Sequence, residues 1–388
     1  MTACIVGWAH TPFGKLEDPD IESLIHRVAR AAVEDAGLAV EDVDALAVGL
    51  FNNGFSAQDF PSSLAFNAVP AWRFLPAVRV ENACATGTAA IHAGRDTIAA
   101  GRAKVVLVVG VEKMTSTPAP KVGDALLAAS YRAEEAEVEG GFAGVFARIA
   151  QAYFQRWGDQ SDALAMIAAK NHAHGVNNPY AQIRKDLGFE FCRSVHEKNP
   201  YVAPPLRRTD CSLVSDGAAA IVLAAEDVAR TLPKAVRFRA AVHVNEMMPL
   251  SRRNPIVLEG AAKAWSGAKG EAGITLDDLD FVETHDCFTI AELLEYEAMG
   301  LVPEGKGAVA AMEGWTRMGG RLPVNPSGGL KSKGHPIGAT GVSMHALAAM
   351  QLTGSAGGMQ VPGASLGAVF NMGGVAVANY VSVLEPLR

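Results

Sequence analysis

The chain has 388 residues, carries a formal net charge of −7 and is 49% hydrophobic, which is enough apolar content to bury a sizeable core in two or more domains. The negative charge and the lack of a basic stripe argue against binding to nucleic acid. The longest apolar runs fall short of the roughly 18 residues that a membrane span needs, so we expect no transmembrane segment.

The cysteines of the chain are odd in number and form no CxxC pair. They stand at positions 4, 84, 192, 211 and 287. This pattern indicates neither a disulfide framework nor a structural zinc site. We therefore expect a protein of the cytoplasm, where thiols stay reduced, and no bound metal ion.

The segment ENACATGTAA at residues 81–90 places Cys84 where a turn passes into a helix of small residues. We predict that this helix runs from about Cys84 to Ala100 and that a buried strand follows at 104–110. Unpaired N–H groups and the dipole at a helix start stabilise a thiolate, so we expect a lowered pKa for Cys84. A nucleophile and a buried structural cysteine are the two interpretations, and the helix start favours the nucleophile.

The chain also repeats itself. Residues 35–49 resemble residues 271–285, and the sequence Ala-Thr-Gly at 85–87 recurs at 339–341. Each copy of the first repeat predicts a helix that ends at a glycine, a short acidic turn and a strand. Two matches in the same order indicate an internal duplication, although alanine-rich helices can also resemble one another by chance.

The duplication predicts three regions. Residues 1–121 and 206–232 form an N-terminal half, residues 233–388 form a C-terminal half, and residues 122–205 are an insertion that is helical and polar with a loop-rich end. Ligands bind at the carboxyl end of the strands in an open α/β layer. We therefore expect the insertion to cover that end of the sheet as a lid or pocket wall.

A second chemical segment, ETHDCF at 283–288, follows the repeated strand and opens a helix predicted at 291–299. His285 and Cys287 project from this strand-to-helix junction, where side chains reach ligands. A zinc site is weakly supported, because no other Cys/His pair stands at ligand spacing. A thiol that donates and accepts protons and a purely structural role remain as interpretations.

The third segment, NPSGGLKSKGHPIGATG at 325–341, is a glycine-rich loop that leads into a helix. His335 is held between a glycine and a proline just before the repeated helix start. Near a thiol, an imidazole in such a position acts as a general base. A phosphate cradle is the competing interpretation, but the loop lacks both the GxxxxGK[ST] and the GxGxxG pattern.

Together these segments resemble the thiolase family, and most closely its sterol-carrier-protein type. The resemblance spans nearly the whole chain and is also carried by KNHAHGVNNPYAQ at 170–182 and DCSLVSDGAAA at 210–220. It implies a duplicated, five-layered α/β/α/β/α thiolase fold with an inserted loop domain. It also implies a homodimer or dimer of dimers, and a small OB-fold zinc-ribbon protein as a companion.

The resemblance implies acyl transfer to and from coenzyme A, with acyl-CoA and CoA as substrates and no permanently bound cofactor. Carried over by motif, Cys84 is the acyl-accepting nucleophile, and His335 is its base and an oxyanion donor. His285 helps to hold the thioester oxygen. Cys287 moves protons at the substrate α carbon and the leaving thiolate.

The chain departs from the family near residue 370, where common thiolases have a catalytic cysteine in a CxG motif and the sterol-carrier type usually has a histidine. The stretch VFNMGGV at 369–375 is expected to place Phe370 at that position, so that proton transfer rests on Cys287. Backbone N–H groups around Gly373 are expected to complete an oxyanion hole with the N–H of Cys84, since this function needs no side chain.

We therefore expect a ping-pong acyltransferase that performs 3-ketoacyl-CoA thiolysis or acetyl-CoA condensation. In the glycine-rich loop, Ser327 and Gly328 are the candidates for contact with CoA or substrate. One alternative is an enzyme that passes the acyl group to a carbon nucleophile other than acyl-CoA, which Phe370 would permit. The other is a non-catalytic, CoA-ester-binding subunit of a heteromeric complex.

Overall fold

The computed structural model describes residues 2–388, so Met1, with which the predicted N-terminal half begins, lies outside the described residues. The strands are β1 (Ala3–His10), β2 (Ala45–Gly49), β3 (Ala77–Val80), β4 (Val105–Glu112), β5 (Tyr201–Ala203), β6 (Leu206–Arg207), β7 (Gly217–Ala225), β8 (Val236–Asn245), β9 (Phe281–Glu283), β10 (Gly367–Gly373) and β11 (Ala378–Pro386).

The α-helices are α1 (Ile21–Asp35), α2 (Pro61–Ala68), α3 (Thr86–Ala99), α4 (Ala119–Leu126), α5 (Arg132–Glu135), α6 (Gly141–Trp157), α7 (Ser161–Gly175), α8 (Gly188–Arg193), α9 (Glu226–Ala229), α10 (Glu259–Ala272), α11 (Thr289–Ala298), α12 (Gly307–Met312), α13 (Gly329–Lys333) and α14 (Ile337–Leu352). Within residues 2–388, no helix has the length and apolar character that crossing a membrane requires.

The large sheet has the strand order β3-β2-β4-β7-β1-β8-β11-β10-β9. Its two halves meet where β1 pairs with β8, at Cys4 with Arg237 and Ile5 with Val236. Outward from this junction, each half has two antiparallel pairings followed by parallel pairing. The same strand pattern on both sides shows that the fold is a duplication.

The repeated segments have the same local structure in both halves. Helices α1 and α10 are each followed by a glycine in the left-handed conformation, Gly37 with φ +75° and Gly273 with φ +64°, which a residue without Cβ adopts readily. A 3₁₀ turn comes next in each copy, at Val40–Asp42 and at Leu276–Asp278. Strands β2 and β9 then begin, so the helix, glycine, turn and strand predicted from the repeat are confirmed.

The layers follow from the faces that each helix covers. Helix α1 packs on β1, β4 and β7, and α3 also contacts these strands. Helix α14 packs against α3, β4 and β7 and also against β10 and β11, so it lies between the two halves of the sheet. Helix α10 covers β8 and β11. The order is helix, sheet, helix, sheet, helix, which confirms the five-layered α/β/α/β/α arrangement.

The central helices α3 and α14 cross with their backbones in contact. A Cβ added at Gly87 would lie 2.7 Å from the backbone nitrogen of Val342 and 2.8 Å from that of Gly341, which is closer than packed atoms approach. Gly87 is the second residue of α3 and Gly341 the fifth of α14. The crossing therefore brings the starts of the two helices together, and the repeated Ala-Thr-Gly segments meet there.

Between β4 and β7 the chain forms helices α4 to α8 and the β5–β6 hairpin. Helices α6 and α7 pack against α11 of the C-terminal half, and α7 also contacts α12 and α13. This segment starts and ends in the first half of the sheet. It therefore reaches from that half across to the second.

Replacing Gly341 with alanine should destabilise the protein, because the added methyl would collide with the backbone of Thr88 and approach Asn371 Oδ1 to 2.6 Å. Overpacking of this kind costs about 1–3 kcal/mol of unfolding free energy. Gly270→Ala is the matched control, since a Cβ at this helical position of α10 meets no atom within 4 Å. It should stabilise by about 0.5–1 kcal/mol. Denaturant unfolding of both variants tests this, and equal effects would contradict the crossing constraint.

Candidate active site

Four side chains singled out in the sequence come together in one buried cluster: Cys84, His285, Cys287 and His335. The sulfur of Cys84 and one ring nitrogen each of His285 and His335 lie within 4.8 Å of one another. The two imidazole centroids are 5.1 Å apart, with the rings at 81°. Cys84, Cys287 and His335 also line one cavity. Three separate segments of the sequence therefore converge on this point.

Cys84 lies on a strained turn just before α3. The preceding residue, Ala83, has φ +48°, a left-handed conformation that residues with a Cβ rarely adopt and that is common at functional sites. Glu81 Oε1 accepts a hydrogen bond of 2.5 Å from the N–H of Ala83, and Thr86 Oγ1 accepts one of 2.8 Å from the N–H of Asn82. These bonds hold the turn that presents the thiol.

The thiol of Cys84 is neutral in the resting protein. Burial raises its pKa to about 12, and the N–H groups of Gly374 and of Cys84 itself oppose this rise. The direction is opposite to the lowered pKa expected from the helix start, because Cys84 is only 4% exposed and the loss of hydration outweighs the dipole. Burial, and then the charge of Lys333, lower the pKa of His335 to about 3. The cysteine therefore needs a base, and a neutral imidazole is beside it.

Thr340 sets the tautomer of His335. Its hydroxyl donates its single hydrogen to the carbonyl oxygen of Pro336 at 2.9 Å, so towards His335 Nδ1, 2.7 Å away, it acts as an acceptor. His335 thus carries its proton on Nδ1 and has a bare lone pair on Nε2. In the described part of the chain this buried Nε2 has no hydrogen-bond partner, which leaves it free to accept a proton from Cys84.

The loop around His335 is anchored on both sides. The N–H of His335 donates to Ser215 Oγ at 3.0 Å, and Gly334 has φ +112°, where a Cβ would lie 2.7 Å from the same oxygen. Glu112, at the end of β4, accepts a hydrogen bond of 3.0 Å from the N–H of Gly338 in α14. Burial raises the pKa of Glu112 to about 7. The start of α14 is therefore tied to the first half of the sheet.

His285 is held by the C-terminal half. Its Nδ1 lies 2.9 Å from Nδ2 of Asn371, and its buried Nε2 has no partner among residues 2–388. Burial lowers the pKa of His285 well below its usual value. The next residue, Asp286, accepts hydrogen bonds from the N–H groups of Leu330 at 2.6 Å and Lys331 at 3.1 Å. The HDCF segment and the glycine-rich loop are thereby fixed to each other.

Cys287 is the second thiol of the cluster. Its carbonyl oxygen accepts a hydrogen bond of 2.8 Å from the N–H of Ser212, and its side chain lines the cavity beside Cys84. Burial, and then the nearby Cys84, raise the pKa of Cys287 well above its usual value. Cys287 is therefore also a neutral thiol that has a proton to donate.

The cavity that reaches Cys84 has a volume of about 260 Å³ and is mostly apolar. Its wall comes from α4, the start of α6, segment 211–214 and the HDCF segment. The larger apolar side chains in it are those of Met114, Val122, Leu126, Phe142, Val202, Leu213, Val214 and Phe288. Because α4 and α6 lie between β4 and β7, that segment forms part of the wall around the thiol.

The role expected for Phe370 needs correction. Successive side chains of a strand point to opposite faces of the sheet, and in β10 it is Asn371 that reaches the cluster. Phe370 is fully buried on the other face, where its ring lies 6.2 Å from that of Trp265 in α10. Phe370 is thus a core residue, and the site contains an asparagine one position later.

The backbone donor expected around Gly373 is that of the next residue. The N–H of Gly374, with φ +62°, acts on the side chain of Cys84 and opposes the rise of its pKa. Gly373 itself is needed for packing, since a Cβ there would lie 2.5 Å from the carbonyl oxygen of Asn82.

The contact with CoA or substrate expected of Ser327 and Gly328 also needs correction. The hydroxyl and N–H of Ser327 donate to the carboxylate of Glu283 at 2.6 and 3.0 Å. A Cβ at Gly328 would lie 2.6 Å from Cα of Gly175 in α7. Both residues are buried and neither lines the cavity of Cys84. They hold the glycine-rich loop against its neighbours.

Sequence reasoning missed Asn371, Thr340 and Glu112. Asn371 follows Phe370 directly. The signal that could have distinguished them is that successive side chains of a strand point to opposite faces of the sheet, so only one of the two can face the site. Thr340 lies five residues after His335 inside the quoted motif, but its role depends on where its single hydrogen is directed. Glu112 is the last residue of a buried strand, and no sequence motif around it indicates its contact with the start of α14.

Comparison with known proteins identifies the relatives of this chain. The family described as Thiolase, N-terminal domain matches residues 3–227, and Thiolase C-terminal domain-like matches residues 242–386. The chain is 38% identical over 373 residues to an acetyl-CoA acetyltransferase of Methanothermobacter thermautotrophicus, which covers 95% of this chain and 96% of that protein. It is 33% identical over 396 residues to sterol carrier protein 2 of Homo sapiens, which covers 95% of this chain and 69% of the relative.

Two solved structures share the fold. One is described as an Ltp2-ChsH2(DUF35) aldolase, with a TM-score of 0.84 and 22% identity over 100% of this chain and 98% of the other. The second is a monomeric SCP2-thiolase like protein type 1 from Mycobacterium smegmatis, with a TM-score of 0.73 and 20% identity over 99% of this chain and 77% of the other.

Thr340→Val should slow alkylation of Cys84 by iodoacetamide roughly tenfold at pH 8. Without the hydrogen bond to Nδ1, worth about 1.4 kcal/mol, His335 also adopts the tautomer protonated on Nε2, which does not accept the proton of Cys84. The control is Thr97→Val in α3, because Thr97 makes the same bond to the carbonyl four residues earlier, Ala93, at 2.8 Å. Peptide mass spectrometry gives the rate at Cys84. An unchanged rate in Thr340→Val would show that Nε2 of His335 is not the base for this thiol.

Proposed function

Because the chain belongs to the thiolase family of acyltransferases, we propose that it transfers acyl groups between coenzyme A thioesters through a thioester on Cys84. The observation that carries the proposal is the neutral thiol of Cys84 beside the bare Nε2 of His335, at the end of an apolar cavity. A buried imidazole nitrogen without a hydrogen-bond partner costs stability, and covalent catalysis gives this nitrogen and the buried thiol a use.

In the degradative direction, Nε2 of His335 accepts the proton of Cys84, and the thiolate attacks the ketone carbon of a 3-ketoacyl-CoA. A carbon–sulfur bond forms, the bond from the ketone carbon to the α carbon breaks, and the α carbon takes a proton from Cys287 as acetyl-CoA leaves. Cys287 then takes the proton of an incoming CoA thiol, whose sulfur displaces Cys84. His335 returns its proton, so both thiols are restored. Condensation of acetyl-CoA is the reverse path.

Two sets of donors support the charged intermediates. The N–H groups of Cys84 and Gly374 both lower the pKa of the Cys84 side chain against the effect of burial, and we propose that they also stabilise an oxygen that becomes negative there. Once His335 has accepted the proton of Cys84, its Nε2–H faces the same space as His285. His335 would therefore act first as a base and then as a hydrogen-bond donor.

The cavity supports an apolar acyl group larger than acetyl. An apolar cavity of roughly 150 Å³ is enough for a benzene-sized molecule, and this one has about 260 Å³. Its large side chains are Met, Val, Leu and Phe. We therefore propose acyl-CoA substrates with an apolar chain, in addition to acetyl-CoA, and no permanently bound cofactor.

We also propose a homodimer or a dimer of dimers. Strand β3 is at one end of the sheet order, and an exposed edge strand pairs readily with another chain. Val78 in β3 is 50% exposed, and Phe74 just before it is 85% exposed. A second copy that covers this edge would bury both side chains.

A small OB-fold zinc-ribbon companion is a further proposal, and it is supported by the structural relative described as an Ltp2-ChsH2(DUF35) aldolase.

The cysteines at 4, 84, 192, 211 and 287 are free thiols. This supports the cytoplasm, where thiols stay reduced, as the compartment.

The structural relative described as an Ltp2-ChsH2(DUF35) aldolase is consistent with both alternatives, whereas the residues of the site favour acyl transfer between CoA thioesters. Transfer to a carbon nucleophile other than acyl-CoA rested on Phe370, which lies in the core against Trp265. A non-catalytic subunit has no use for two buried histidines whose Nε2 atoms lack partners among residues 2–388, since such groups reduce stability. Covalent acyl transfer uses both.

Cys84→Ala should abolish the acyl adduct that wild-type protein forms with acetyl-CoA or a 3-ketoacyl-CoA, since the nucleophile of a covalent mechanism contributes many orders of magnitude in rate. Cys211→Ala is the matched control, because Cys211 lines the same cavity but should still leave Cys84 acylated. Intact-mass measurements after incubation report the adduct. Acylation of Cys84→Ala at the wild-type level would refute the mechanism.

Cys287→Ser should still accept an acyl group but lose thiolysis and condensation by a factor of roughly 10² or more, the scale for one positioned acid or base. Deuterium exchange from solvent into the methyl of acetyl-CoA measures the α-proton step directly. Because burial raises the pKa of Cys287 well above its usual value, its thiolate fraction grows with pH, and wild-type exchange should rise from pH 7 to 9. Wild-type exchange that persists in Cys287→Ser would assign the base to another group.

A further inference from the structure

We propose that Asn371 is a positioning residue that keeps His285 in the tautomer protonated on Nε2, so that His285 donates a hydrogen bond to the thioester oxygen of the substrate. The role at the thioester rests on the proposed function. The tautomer itself is a property of the resting protein and can be measured without any substrate.

The orientation of the Asn371 amide is set by the carbonyl oxygen of Cys84, and the hydroxyl of Thr88 can donate to the other end of the amide. Its Nδ2 lies 3.2 Å from the carbonyl oxygen of Cys84, which accepts hydrogen bonds and cannot donate them. Its Oδ1 accepts a hydrogen bond of 2.7 Å from the hydroxyl of Thr88. The nitrogen of the amide must therefore be on the side of Cys84 and His285.

The same nitrogen lies 2.9 Å from Nδ1 of His285. Because the amide NH₂ group donates, Nδ1 has to accept, and a neutral imidazole that accepts at Nδ1 carries its proton at Nε2. This Nε2–H is buried and has no hydrogen-bond partner in residues 2–388. It is thus a donor held ready for an oxygen that the protein itself does not supply.

His285 and His335 consequently have opposite tautomers. Nε2 of His335 has a lone pair, because Thr340 accepts at Nδ1, whereas Nε2 of His285 has a hydrogen. The first suits the removal of a proton from Cys84, and the second suits a carbonyl oxygen. A lone pair on Nε2 of His285 would instead repel that oxygen and leave it without this donor.

The tautomer also bears on metal binding at this site. A cysteine and two histidines are a ligand set for zinc, and their ligand atoms lie within 4.8 Å of one another. Coordination through Nε2 of His285 needs a lone pair on that nitrogen, and in the tautomer proposed here Nε2 has a proton instead. Asn371 thereby favours an oxygen of the substrate over a cation.

The space for Asn371 comes from the helix crossing. A Cβ at Gly341 of α14 would lie 2.6 Å from Oδ1 of Asn371, while Thr88 of α3 binds the same oxygen. Asn371 therefore fits into the contact between the central helices and connects β10 with both of them. Its side chain has little freedom to rotate away from His285.

The test is Asn371→Asp, which keeps the size of the side chain but replaces the donor by an acceptor. The carboxylate should draw the proton of His285 to Nδ1. Long-range ¹H–¹⁵N spectra of resting, ¹⁵N-histidine-labelled protein report the tautomer, with His285→Ala to assign the signal. We expect protonation on Nε2 in the wild type and on Nδ1 in Asn371→Asp, and a loss of acyl transfer of roughly 10²–10³-fold in kcat, as for one oxyanion donor.

Thr88→Val is the matched control, because it removes the hydrogen bond to Oδ1 but leaves the amide donor in place. It should keep the wild-type tautomer and lose no more than roughly tenfold in rate. If Asn371→Asp fails to fold, Asn371→Ala replaces it and should give a mixture of the two tautomers of His285.

A double-mutant cycle distinguishes positioning from a structural role. If Asn371 acts through His285, then Asn371→Asp should have little further effect on the rate in a His285→Ala background. An equal loss in both backgrounds, or His285 protonated on Nε2 in Asn371→Asp, would overturn the inference. A tautomer that switches while acyl transfer stays unchanged would instead overturn the proposed role of His285 at the thioester.

Discussion

The backbone contact between α3 and α14 is the constraint on which the rest of the site depends. Only glycine fits at Gly87 and Gly341, so the helices approach far more closely than side chains would allow. Each helix start carries one reactive group, with Cys84 just before α3 and His335 just before α14. The crossing therefore brings equivalent helix starts of the two halves together in one site, where the first half supplies a thiol and the second an imidazole.

Burial, rather than fixed charge, controls the electrostatics of this site. It raises the pKa of both thiols and lowers the pKa of both histidines, so the resting cluster is neutral. In a neutral cluster the direction of each hydrogen bond determines what each atom can do. Thr340 and Asn371 set these directions, and they leave one imidazole nitrogen as an acceptor and the other as a donor.

The C-terminal segment shows how much a single position matters. Phe370 and Asn371 are neighbours in β10, but the pleat sends one into the core and the other into the site. In the same way, it is the N–H of Gly374 that opposes the rise in the pKa of Cys84, whereas Gly373 makes room for the turn before α3. The polar side chain that faces the cluster is an amide, which neither attacks a substrate nor titrates but can hold an imidazole.

From the sequence by itself, the duplication could be predicted, because it depends on local patterns such as helix ends, glycines and junctions. The layered fold and a site shared by Cys84, His285, Cys287 and His335 followed from the resemblance of those segments to the thiolase family. Tertiary structure alone decided the pKa of Cys84, since burial at a site where distant segments meet outweighed the local dipole. It also decided that Ser327 and Gly328 pack inside the protein and that Asn371 enters the site. Those outcomes depend on which atoms of remote segments become neighbours, and no local pattern encodes that.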